Sequence, residues 1–196
     1  YWLLVIGFSF TFYDNTYTSL VVCDNGYITF DLSQANNLSS GYVISGVVPG
    51  GNNPEPINAI MAPWHDVCLS GCTADGGSVF ISRVGLPPNR KFIATWCAAA
   101  MFSCTSTKNT FQIILHEGTD KIETFIDTKR SCSWNSGAAV HGLVDATSTN
   151  SDIVMDPVLL QPRNFPLLWT KHSQLIFLCM GLANYHQHYY YLKKHN

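Results

Sequence analysis

Two neighbours, His65 and Asp66, are the first residues whose types invite chemistry. A histidine beside a carboxylate serves acid–base catalysis or metal binding when both reach one point. These two follow Pro63-Trp64 at the end of an apolar run that reads as a strand. Adjacent strand residues point to opposite faces, so the pair cannot jointly hold one ion there. The simpler role for Asp66 is to cap the following loop through its own backbone. Asp75, in Asp75-Gly76-Gly77, is the other acid nearby, and Asp66 and Asp75 are weak calcium candidates. A calcium site wants several oxygen ligands, and these supply two side chains. His186, His188 and His195 would suit zinc or nickel if they met, but in a polar tail they read as solvated. The chain holds no GxSxG, HExxH, Walker or GxGxxG motif. No catalytic or cofactor-binding residue is therefore assigned, and the chain is expected not to be an enzyme.

The cysteines point elsewhere. There are seven, at 23, 68, 72, 97, 104, 132 and 179, and none forms a CxxC pair of the zinc-ribbon or thioredoxin kind. Disulfides formed in an oxidising compartment are the better reading. Cys68 and Cys72 bracket Leu69-Ser70-Gly71 and are candidates for a short bridge, while the partners of Cys23, Cys97 and Cys179 stay open. Charged residues make up 12% of the chain, about half the usual share, and the net charge is -2. Without clustered Lys and Arg to neutralise phosphates, no nucleic-acid partner is expected. The apolar stretches YWLLVIGFSF and QLIFLCMGLA fall short of the roughly 20 residues a membrane helix needs.

The elements that would position these residues read as strands. β-branched and aromatic runs alternate with turn clusters over 8–13, 17–23, 26–31, 58–63, 78–84, 90–97, 110–116, 120–127 and 137–144. This pattern predicts an all-β, antiparallel sandwich. Asn25-Gly26 between two apolar runs predicts a tight hairpin with Gly26 at positive φ. Residues 110–127 form a second hairpin turning near Gly118. Long loops are expected over 32–57, 68–77 and 145–166, the first carrying the glycosylation-type triplet Asn37-Leu38-Ser39. Trp64, Trp96, Trp134 and Trp169 read as core or rim residues. Residues 1–170 form the sandwich module, and 171–196 are a separate tail, a partial strand or helix with a basic end.

Taken in order, FSFTFYDNTYTSLVVCDNGYITFD, NAIMAPWHDV, GGSVFISRVGLPPNRKFIATW, MFSC, NTFQIILHEGTDKIETFID, CSWNSGAAVHGLVDATST and RNFPLLWT resemble a known kind of module. They are similar to the front β-sandwich of Bacteroidetes gliding-motility and type IX-secreted adhesin-like proteins. They also resemble the extracellular NIDO module of nidogen- and mucin-like proteins. The resemblance covers about residues 7 to 170 and implies a jelly-roll or NIDO-like, non-catalytic extracellular module of a larger adhesive chain. Its partners would be glycan, matrix or another surface protein, and the alternatives are a shell or filament subunit or the carbohydrate-binding part of a glycan-active enzyme. It also implies that Cys104 pairs with Cys132. Counting outward from the 110–127 hairpin agrees, since both cysteines return to the same end. The tail KHSQLIFLCMGLANYHQHYYYLKKHN does not follow the pattern.

Overall fold

The computed structural model describes residues 2–35, 44, 48–50, 55–69, 76–130, 132–155 and 188–192. The expected all-β sandwich is what forms: two antiparallel sheets, with 3-10 turns at Leu32–Gln34 and Trp134–Gly137 among the described residues. The first sheet runs in the order β1 (Trp2–Phe12), β2 (Asn15–Cys23), β3 (Tyr27–Thr29), β4 (Ala59–Trp64), β10 (Val140–Val144) and β11 (Ser151–Met155). The second runs β12 (His188–Leu192), β9 (Ile122–Thr128), β8 (Cys104–His116), β7 (Lys91–Met101) and β5 (Val67–Cys68). Strand β6 (Ser78–Val84) also pairs with β7.

Period-two alternation puts the large side chains between the sheets. Ile6, Phe8, Phe10 and Phe12 point inward from β1, and Phe111, Ile113 and Leu115 answer from β8. Each such burial contributes about 1.5–3 kcal/mol. A second apolar cluster includes Cys23, Met61, Trp64, Val140 and Val144 from the first sheet, with Ile44 and Ala138 against them. Several strands of that sheet thus contribute to two clusters, which explains the near-continuous apolar runs of β2 and β4.

Three differences from the sequence reading have physical causes. β7 and β8 extend past their expected ends to a two-residue turn at Phe102-Ser103, across a bulge where Ala98 adopts φ 48°. The small Ala98-Ala99-Ala100 run hides that continuation from a hydrophobic pattern. The expected 145–166 loop contains strand β11 instead. Asp145 folds the chain back there, accepting hydrogen bonds from Thr147 N, Thr149 N and Asn150 Nδ2 at 3.1, 3.0 and 2.7 Å. Residues 188–192 of the tail pair antiparallel with β9.

The Asn25-Gly26 hairpin forms with Gly26 at φ +86°. Cys23 pairs with Tyr27, so the loop holds three residues with the left-handed one last, not the two-residue Asn-Gly turn. Gly118 likewise takes φ +73° at the β8–β9 turn.

Candidate binding rim at one end of the sandwich

The chemistry-bearing residues gather where the β2–β3 turn, the β4–β5 junction, the β7–β8 turn and the segment after β9 meet. His65 and Asp66 part there, in the link between β4 and β5. His65 is fully buried, its Nδ1–H donates to Pro63 O at 2.9 Å, and Asn109 Nδ2 donates to its Nε2 at 3.4 Å. Its ring also meets Phe111 edge-on at 5.7 Å. Burial, with the Lys129 charge, pushes its pKa down to about 3 despite the bond to Pro63. His65 is thus a neutral, enclosed member of the packing.

Asp66 turns outward and is half-buried. Its Oδ2 accepts from Trp134 Nε1 at 2.6 Å, and its carbonyl accepts from Phe102 N at 3.2 Å. The expected local loop cap is therefore corrected: the Asp66 side chain ties together segments 68 positions apart in sequence. Burial raises the Asp66 pKa, the Trp134 bond lowers it, and the nearby Asp24 charge raises it further.

The Trp134 loop is fixed from both sides. Cys104, at the start of β8, and Cys132 form the expected disulfide, with Cα atoms 6.1 Å apart. The Trp134 amide then donates to Cys132 Sγ at 3.4 Å. Asn135, Ser136 and Gly137 follow in succession at φ 48°, 55° and 73°. Three consecutive left-handed residues, two of them not glycine, form a strained turn held in place by its surroundings. Across from it, Phe102 is 41% exposed, with its ring 5.2 Å from that of Trp134 at a 57° tilt. An aromatic pair, an oriented carboxylate and a stapled loop thus form a rim on a rigid scaffold, the usual placing of binding residues.

Other candidates fall away from this rim. Cys68 and Cys97 are each disulfide-bonded, while Cys72 lies outside the described residues, as do Asp75, Cys179, Trp169 and the Asn37-Leu38-Ser39 triplet. His186 and His195 also lie outside them, and His188 is described only as part of β12. Cys23 is buried, and its thiol meets Asp24 Oδ1 at 3.3 Å. Among the described residues, no three His, Cys, Asp or Glu side chains gather as a metal site. Trp64 and Trp96 are wholly buried, and Trp96 Nε1 donates to the carbonyls of Cys23 and Asp24, both at 3.1 Å. Asn25 Oδ1 accepts from Val67 N at 2.8 Å, which seats the same turn against β5.

The opposite side carries an open groove of about 570 Å³ beside Phe8, lined in part by Arg90 and Glu117. These two pair with each other, Nε to Oε2 at 2.8 Å, so the groove's charges cancel. The Asp66–Trp134 bond is not foreseen from sequence, whereas pairing Cys104 with Cys132 already implies that Trp134-Asn135-Ser136-Gly137 lies beside Met101-Phe102, as it does here. The visible signal was the shared neighbourhood of MFSC and CSWNSG once their cysteines pair.

Among the described residues, no helix is long and apolar enough to cross a membrane. In comparison with known proteins, residues 3–159 match the model of one family, described as NIDO related. No curated protein and no solved structure matches the chain.

Proposed function

The chain belongs to the NIDO-related family, and on that premise we propose that it is a non-catalytic adhesion or surface-structure module of a larger secreted protein. Modules of this family are typically extracellular. The observation that carries the reading is the Phe102–Trp134–Asp66 rim, stapled by Cys104–Cys132 at one end of the sandwich. Its disulfide suits an oxidising exterior, and its exposed aromatic suits contact with a partner. The partner is a matrix component or another surface protein in preference to a sugar, because the 57° tilt between the rings gives no flat stacking platform. The narrower likeness to Bacteroidetes gliding-motility surface proteins is part of the proposal, as is function without a cofactor. The test is binding of the purified module to immobilised matrix proteins and a glycan array. Saturable binding to a protein component supports the reading, and binding to glycans alone overturns the preference for protein.

A second reading, as a shell or filament subunit, is favoured by one observation. Among the described residues β1 is an edge strand; it has no charged residue and exposes Trp2, Leu3 and Val5. Concentration-dependent assembly in sedimentation supports it, and a monomer at high concentration contradicts it.

A further inference from the structure

We propose that the rim receives a basic side chain, an arginine or lysine, from a partner protein, docked against Phe102 and Trp134 and paired with Asp66. This rests on the proposed binding function and names the partner's chemistry. Asp66 and Asp24 lie close enough for the charge of one to be felt by the other. Among the described residues, neither has a cation within ion-pair distance, although the second sheet has ion pairs at Arg90–Glu117 and Lys121–Glu123. Asp66 is held in one orientation by the Trp134 N–H, which engages one carboxylate oxygen and leaves acceptor capacity on the other. A half-buried carboxylate that feels the charge of a second one and has no ion-paired cation among the described residues is electrostatically incomplete.

The aromatic half of the rim adds the same preference. Ring faces carry negative potential and attract guanidinium and ammonium groups within about 6 Å. Phe102 offers an exposed ring packed on Trp134, the indole that holds that carboxylate, with its backbone N–H bonded to the Asp66 carbonyl. Carboxylate and ring together suit a cation with an apolar stem, which both arginine and lysine have. A bare divalent ion fits less well, because it wants several oxygen ligands and the aromatic side provides none.

The test follows the Trp134 indole N–H by NMR during titration with N-acetyl-arginine amide, against the neutral isostere N-acetyl-citrulline amide. The Trp134 resonance is identified by its loss in Trp134→Phe. A saturable shift is expected with arginine and about tenfold or more weaker binding with citrulline, as loss of a charged hydrogen bond predicts. Asp66→Asn keeps an acceptor for the indole and weakens arginine binding to a similar degree. Asp24→Asn, which leaves the Trp134 bond intact, weakens it less. Equal responses to arginine and citrulline, unchanged binding in both variants, or a shift produced by calcium alone would each overturn the proposal. If the module binds a matrix protein but free arginine does not compete, this inference fails and the proposed function stands.

Discussion

A Cβ on Gly26 would run into the carbonyl oxygen of Pro63, and Gly26 itself sits at φ +86°. The β2–β3 turn is therefore seated beneath the end of β4 without room for a side chain, and Gly26 O accepts from Ala62 N at 3.0 Å. Left-handed backbone alone makes Gly26→Ala cost about 1 kcal/mol. The overlap with fixed backbone raises this to about 2–4 kcal/mol, and more for valine. Urea denaturation measures it, and an alanine variant as stable as the parent would show that the turn is not seated there.

Trp96 reaches the same turn from the second sheet. Its indole N–H holds the Cys23 and Asp24 carbonyls while its ring stacks on Phe111 at 5.1 Å. Trp96→Phe keeps much of the ring burial and removes the donor, at a cost of about 1–3 kcal/mol. Amide hydrogen exchange at Asn25–Tyr27 should accelerate with it. Exchange that stays at parent rates would place the turn's restraint elsewhere.

The Cys104–Cys132 bridge spans a sequence separation of 28 and closes the end of the hairpin. Replacing both by serine should cost about 2–4 kcal/mol and free the Trp134 loop. Non-reducing peptide mapping of the parent should recover the two cysteines in one linked species. Recovery in separate peptides contradicts the bridge and the stapled rim together.

Much of this architecture is legible in sequence, for identifiable reasons. Period-two alternation in FQIIL and the Asn25-Gly26 signal each arise from local backbone physics, and both lead to the observed strands and turn. The Cys104–Cys132 pair follows from hairpin counting. The rim is different, because it depends on tertiary meetings. The disulfide pairing does bring Phe102 beside Trp134, but Asp66 finds Trp134 only after four segments converge, and the extent of β7 to the Phe102-Ser103 turn is masked by an alanine run and a bulge. Strand β11 escapes notice because polar Thr and Asn residues around Asp145 make a hydrogen-bonded turn, with no apolar pattern to betray it.

Acid should weaken the fold before its carboxylates titrate. His65 and His141 are buried, and burial holds their pKa values down to about 3 and about 4. In the unfolded chain both take up protons near pH 6.5, so the unfolded state binds more protons below that value. Stability is therefore full above pH 6.5 and is lost as pH falls from there towards 4, by about 1.4 kcal/mol per pH unit for each histidine once the unfolded form is protonated. Thermal melts from pH 8 to 4 should show the fall beginning near 6.5. A flat profile down to pH 5 would mean that these imidazoles accept protons in the folded state.

The most direct measurement compares two exposed phenylalanines at different places on the module. Phe102 is 41% exposed at the rim and Phe80 is 50% exposed on β6. Each is replaced by alanine, and each variant is titrated against the matrix or surface protein that binds the parent. Phe102→Ala should weaken binding about tenfold or more, as removal of a central aromatic anchor does, while Phe80→Ala binds like the parent and both melt normally. Parent-like binding by Phe102→Ala, or a loss confined to Phe80→Ala, would contradict the rim as the binding surface.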